Sequence, residues 1–160
     1  MTRIGITGHI HLAPGTADLV RDEITTRLRA YRGDLVGVSC LAPGADTLFA
    51  AAVVAVGRRL EVILPARRYR DDAVPAEMLG TFDKLLARAA AVRVMAFEEP
   101  GEAAYRAANN ALLSEIDRLL AVWDGGTGDI GSTAEAVHSA RCRHIPVDIV
   151  WPPGSGRSAK

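Results

Sequence analysis

Lysine is almost missing from this 160-residue chain: only Lys84 and Lys160 occur, and seventeen arginines carry the rest of the basic charge against nineteen acidic residues. The formal net charge is +0 and the pI about 6.9, so no field of basic side chains covers the surface. Nucleic acids and anionic membranes are normally gripped through such a surplus, which argues against both as partners. An anionic ligand must be held locally. Cysteine is scarce too: Cys40 and Cys142 are too few for a disulfide scaffold or a four-thiolate metal site, and no C-x-x-C occurs. That usage fits a reducing cytoplasm. No apolar run approaches the length of a membrane span, and Met1 to Gly8 enters a strand-like run without the basic segment of a targeting leader. The G-x-x-x-x-G-K-[ST] and G-x-S-x-G patterns are absent, which removes the usual NTPase and α/β-hydrolase readings. The arginine excess beside 27 alanines reads as genome base composition.

What is present is enough apolar residue for a core. At 17.0 kDa, 49% hydrophobic, 24% charged and a mean hydropathy of +0.11, the chain has the size and balance of one folded domain. Short apolar runs at Arg3 to Thr7, Leu35 to Ser39, Leu60 to Leu64, Ala91 to Phe97, Leu119 to Trp123 and Pro146 to Val150 read as buried parallel strands. Between them Val20, Ile24, Leu28 and Tyr31 recur at helical spacing, as do Ala104, Ala107, Ala108, Ala111 and Leu112, and later Ile130, Ala134 and Val137. Strands alternating with helices predict an α/β fold: a three-layer, Rossmann-like open parallel sheet of about six strands with helices on both faces. Thr16 is the expected first-helix cap, and Gly33 and Gly57 are the expected helix stops. The domain is expected over 1–151, with 152–160 a mobile Pro/Gly/Ser tail. The polar stretch Ala66 to Pro75 is a candidate loop over a site.

In an open parallel sheet ligands bind beyond the carboxyl ends of the strands. Strand one exits into Gly8-His9-Ile10-His11, strand two into Cys40-Leu-Ala-Pro-Gly44-Ala45-Asp46, and strand five into Asp124-Gly125-Gly126 followed by Gly131-Ser132-Thr133-Ala-Glu135. Glycines permit close backbone approach, and a helix opening at Ser132-Thr133 turns free amides and a dipole toward an anion, which is phosphate chemistry in outline. Ser132-x-x-Glu135 is equally a capping box, and the two readings are compatible. Gly126-Thr-Gly128-Asp-Ile-Gly131 spells G-x-G-x-x-G, but one short strand remains after it, whereas a dinucleotide fingerprint belongs to the first strand–helix unit. Asp46 reads as a helix cap or as an acceptor for a ribose hydroxyl. His9 and His11 lack a neighbouring carboxylate or thiol to complete a metal set, and no metal or cofactor is expected. Cys40, near a helix start, reads as a buried inert thiol.

Taken in order, these pieces resemble the SMF/DprA and LOG (SLOG) superfamily of Rossmann-like nucleotide-binding domains. The turn Ile6-Thr-Gly8-His9, then Pro43-Gly44-Ala45-Asp46-Thr-Leu, Val62-Ile-Leu-Pro65, Asn109-Asn110, and Asp117-Arg-Leu-Leu-Ala-Val-Trp-Asp124-Gly-Gly with Gly131-Ser-Thr-Ala-Glu135 follow its order from Arg3 to about Val150. The resemblance is nearest to bacterial members with a Gly-Ala-Asp helix start and an Asn on the helix after the fourth strand. It implies that Gly131, Ser132 and Thr133 hold a ligand phosphate. Gly8, His9, Gly44, Ala45, Asp46, Asn109, Asn110, Asp124, Gly125 and Gly126 would line the rest of the site. In the phosphoribohydrolase branch a Glu and an Arg act on an N-glycosidic bond, which would fall to Glu135 and Arg106. This chain departs from that branch: Thr127 to Ile130 are inserted, Asp124 replaces a Pro, the Glu is one residue nearer the Thr, and Asn109-Asn110 stand where that branch has Arg-Lys. The expectation is a cytoplasmic module binding a nucleotide or nucleotide derivative, as sensor or carrier. The alternative is a nucleoside 5′-monophosphate hydrolase. The resemblance also implies a homodimer, and the balanced charge argues against the single-stranded DNA handling of DprA relatives.

Overall fold

In the computed structural model, which describes residues 1–127 and 132–158, six strands pair in the order β4-β3-β2-β1-β5-β6, all parallel. They are β1 (Thr2–Gly8), β2 (Leu35–Ser39), β3 (Arg59–Leu64), β4 (Ala91–Val94), β5 (Arg118–Val122) and β6 (Val147–Ile149). The helices are α1 (Thr16–Ala30), α2 (Ala45–Ala55), a short α3 (Tyr69–Ala73), α4 (Leu79–Arg88), α5 (Glu102–Glu115) and α6 (Thr133–Cys142), with one 3-10 turn at Ala76–Met78. All six expected strands are present. The expectation that all are buried holds for the inner strands, which helices cover on both faces, but not for the edges: β4 is exposed along its length and β6 is half-buried to exposed.

Two cores flank the sheet. On one face Val20, Ile24 and Leu28 of α1, Phe49 and Val53 of α2 and Phe82 and Leu85 of α4 pack on Ile4, Ile6, Leu60, Val62 and Leu120. On the other, Ala108, Leu112 and Leu113 of α5 and Ala140 of α6 pack on Val36, Val38, Ile63 and Leu119. Right-handed crossovers explain the division: α1, α2 and α4 step outward from β1 to β4, whereas α5 leads back across the sheet to β5, beside β1. The direction in which strands are added to the sheet therefore reverses between β1 and β5, and that switch point is where such sheets bind ligands.

Three local expectations change. Thr16 does not cap α1; Gly15 holds that position in a left-handed conformation, and the Thr16 hydroxyl accepts the Gly156 amide at 2.9 Å. The stretch after β6 is tied down instead of loose: Leu12 bridges Arg157, Ala13 N–H donates to Gly156 O at 2.8 Å, and Ser158 N–H donates to His11 O at 3.1 Å. It fills the backbone hydrogen bonds of the β1–α1 loop, which a Pro/Gly/Ser composition does not reveal. On α6, Ala134 is half-buried and the buried stripe is Thr133, Ala136, Val137 and Ala140, with Ile130 outside the described residues. Gly57 does stop α2, with Gly57 N–H on Val54 O and Arg58 N–H on Val53 O, both at 3.0 Å, the paired bonds of a Schellman end.

Candidate functional site

The β1 and β5 exits are drawn together by glycine. A Cβ on Gly8 would run into the side chains of Ala45 and Val122, so only glycine lets the first turn of α2 sit against the end of β1. Gly44 has φ +82°, and a Cβ there would lie 2.5–2.6 Å from the carbonyl oxygens of Ile10 and His9. In return, Ala45 N–H donates to His9 O at 3.2 Å. His9 is buried, stands edge-on to Trp151 at 5.6 Å, and its Nε2 accepts the Asp124 amide at 3.2 Å. Burial, and then Arg157, lower its pKa against the opposing pull of Asp124 Oδ1 at 3.3 Å, which keeps the imidazole neutral and able to accept. Asp124 closes the junction from the other side. Its Oδ1 accepts Gly126 N–H at 2.9 Å, which together with His9 and Arg157 holds its carboxyl below the usual range. Gly125, at φ +87°, completes that turn, and Trp123 Nε1 donates to Gly126 O at 2.9 Å.

Beside this junction a cavity of about 400 Å³ opens over the carboxyl ends of β1, β2 and β3, a volume within the range of small-molecule sites. Ile6, Thr7, Gly8, Ile10 and His11 line it from the β1 exit, and Cys40, Ala42, Pro43 and Asp46 from the β2 exit. Pro65, Tyr69, Ala73 and Pro75 form the wall after β3, while Tyr105, Ala108 and Asn109 of α5 and Thr133 of α6 close the far side. The stretch Ala66 to Pro75 thus does wall the site, through its apolar side. Its arginines turn outward, Arg68 to Asp72 at 3.0 Å and Arg70 to Asp83 at 2.8 Å. Among the described residues neither lysine nor arginine lines the cavity.

Among the described residues Asp46 is its only carboxylate. The side chain is 8% exposed and accepts one long backbone bond, from Ala42 N–H at 3.3 Å. It therefore braces the loop before α2 instead of capping that helix, whose first position is taken by Gly44. Burial pushes its pKa up to about 7, only partly opposed by the Ala42 bond. Burial raises the Cys40 thiol as well, reinforced by Asp46, so Cys40 stays protonated and inert as the sequence suggests. Tyr69 is buried and donates its hydroxyl proton to Leu41 O at 3.4 Å; its ring meets Tyr105 at 6.4 Å and 83°.

Of the residues expected at a site, Gly8, Asp46, Asn109 and Thr133 share the cavity wall. His9, Gly44, Ala45, Asp124, Gly125 and Gly126 build the junction behind it. Asn110 belongs elsewhere: one residue on from Asn109 turns about 100° around the helix, and its side chain accepts from Arg143 at 3.1 Å. Ser132 caps α6 by accepting the Glu135 amide at 3.3 Å, one half of the capping box. Arg106 pairs with Glu102 at 3.2 Å and lies 3.8 Å from Glu135. Gly131 lies outside the described residues, as does the end of the G-x-G-x-x-G segment. Sequence reasoning missed Tyr69 and Tyr105. The usable signal was scarcity: the chain has three tyrosines, and two of them stand at this cavity. Among the described residues no group of three His, Cys, Asp or Glu is placed to hold a metal ion, and no helix is long and apolar enough to cross a membrane.

No family model and no curated protein matches the chain. Solved structures do. DNA processing protein A (DprA) from Streptococcus pneumoniae aligns with a TM-score of 0.67 at 17% identity, over 93% of this chain and 50% of that one. The chain thus spans about half the length of that protein. DprA from Helicobacter pylori, whose structure addresses its single-stranded DNA binding mode, aligns at 0.64 and 15% identity over 98% of this chain and 68% of that one. A molybdenum cofactor binding protein from the phototrophic bacterium Rippkaea orientalis aligns at 0.58 and 17% identity, over 92% and 75%. The Rossmann-like open parallel sheet expected from the strand pattern is the fold that this chain shares with them.

Proposed function

We propose that this chain is a cytoplasmic module that binds a nucleotide or nucleotide derivative, as a sensor or carrier, with the ligand phosphate at the start of α6. The observation that carries this reading is the cavity itself: it lies beside the sheet's switch point, and Thr133, in the first turn of α6, forms part of its wall. Ser132 and Thr133 there offer hydroxyls and the positive end of a helix dipole, which suits one phosphate without any lysine. Fold-level likeness to cofactor-binding and DNA-binding proteins supports a ligand of this kind. The absence of net basic charge supports a small molecule over a DNA strand. A homodimer is proposed from the resemblance, and sedimentation equilibrium measures it.

Calorimetric titration with nucleoside monophosphates and their nucleosides, with an oligodeoxythymidine in parallel, tests the reading. Ser132→Asp is the informative variant, because Asp caps a helix as well as Ser does but sets a negative charge where the phosphate would rest. Monophosphate binding should weaken at least tenfold while nucleoside binding holds. Equal binding of monophosphates by Ser132→Asp and the parent would sink the phosphate assignment.

A second reading is favoured by one contact, Arg106 Nε to Glu135 Oε1 at 3.8 Å next to Thr133. Here water adds at the ribose C1′ as the N-glycosidic bond breaks. Glu135 would stabilise the cationic sugar or take the water's proton, and Arg106 would assist departure of the base, which leaves protonated. Chromatography for free base and ribose 5-phosphate decides it. Binding without turnover leaves the carrier reading in place.

A further inference from the structure

The cavity is built asymmetrically with respect to hydrogen bonding. On the wall between α2 and α3, Asp46 offers a carboxyl whose known partner is one backbone amide at 3.3 Å, and Tyr69 has its proton committed to Leu41 O, leaving its oxygen an acceptor. With Asp46 ionised, that wall accepts and barely donates. Among the described residues no guanidinium or ammonium lines the cavity. A phosphate placed deep would meet Asp46 unscreened, so the phosphate belongs at the α6 side and the deep wall must receive a neutral group rich in N–H donors. Tyr69, Tyr105, Ile6 and Pro65 supply the apolar and aromatic surface that suits a flat ring. A carboxylate carries about four acceptor positions and matches two parallel N–H donors better than one.

We propose that Asp46 is a specificity residue that receives the ring edge of the ligand, and that this ring carries an N–H beside an exocyclic amino group, as in the 2-amino-4-oxopyrimidine edge of guanine. The proposal rests on the nucleotide reading of the same cavity. A ring lacking the amino group leaves one acceptor direction unpaired in a buried place, which is the kind of loss that separates close analogues.

Titration calorimetry with GMP, IMP and AMP on the intact chain tests it, since IMP differs from GMP by the 2-amino group alone. GMP should bind at least tenfold more tightly than IMP and AMP. Asp46→Asn, which keeps the shape but replaces one acceptor by a donor, should bring GMP down to the level of IMP. GMP and IMP binding alike would overturn the Asp46 proposal and leave the nucleotide reading standing; no binding of any nucleotide would overturn both. Should Asp46→Asn not fold, the GMP to IMP ratio of the parent chain is decisive by itself.

Discussion

Toward the amino end of the sheet, carboxylates meet arginines. Arg3 reaches Glu61 at 2.8 Å and the Glu115 carbonyl at 2.6 Å, Arg93 holds Glu115 at 2.9 Å, and Arg118 forks onto Asp148 with two bonds of 3.0 Å. Glu61 is accordingly held below its ordinary pKa, first by the Arg3 hydrogen bond. At the carboxyl end of the same sheet, Asp46 is more deeply buried, has no arginine, and is pushed up to about 7. Where charge only ties strands together the chain supplies a cation. A buried carboxyl left beside a cavity with no cation is costly to keep, and such groups gather where a ligand completes them. The contrast also separates the two uses of glycine: Gly5 and Gly37 let α5 and α2 lie close on mid-sheet, whereas Gly8 and Gly44 shape the junction behind the cavity.

The contrast breaks most readily at Gly44. Gly44→Ala puts a methyl against the His9 and Ile10 carbonyls at a positive φ, and denaturant unfolding should show a loss of about 3 kcal/mol together with loss of the proposed nucleotide binding. A well-folded, ligand-binding Gly44→Ala protein would mean that the junction does not shape the site.

Asp46 gives the next largest effect, one of pH. Its folded pKa of about 7 lies above the ordinary 3.8, so the folded state holds a proton that the unfolded chain gives up. Stability from this group is full below pH 4 and is lost as pH rises through 7, a fall of about 3 kcal/mol between pH 5 and pH 8. Melting temperatures of the parent and Asp46→Asn across that range should converge at low pH and separate at high pH, with the variant the more stable. Parallel curves would refute the assignment.

His9 slopes the other way. Its folded pKa is lowered, so its contribution is present above the ordinary 6.5 and is lost as pH falls below that value, when a proton on Nε2 displaces the Asp124 amide. His9→Ala should cost about 1 kcal/mol at pH 8 and less at pH 5, read from chemical denaturation at both. The smallest effect belongs to the amino end. Arg118→Ala should cost about 0.5 kcal/mol, because the pair is partly exposed, and should leave nucleotide affinity unchanged in the same titrations.

The six strands were legible because apolar runs of four to seven residues alternate with helical spacings, and β2 falls on Leu35–Ser39 as read. Cavity-lining residues were legible where the residue follows a strand exit, as with Gly8, Asp46 and Thr133. Asn109 and Asn110 were not separable, since rotation of α5 against the sheet decides which one faces inward. Tyr69 and Tyr105 lie 36 positions apart and meet only when α3 folds over the β3 exit. The last residues read as a tail because Pro, Gly and Ser carry no periodic apolar signal, yet Gly156 and Arg157 pair with the loop after β1.

By itself the sequence determined the layers: which residues are strands, which helix stripes are buried, and that glycine must stand at the exits. Those are short-range consequences of hydrophobic period and backbone freedom. Only the tertiary structure decided that Asp46, Tyr69 and Tyr105 share a cavity that no described arginine or lysine lines, and that His9 holds the β5 exit to β1. Both depend on the return of the chain through α5 to β5, which brings residues more than a hundred positions apart into contact, and no local pattern encodes such a distance.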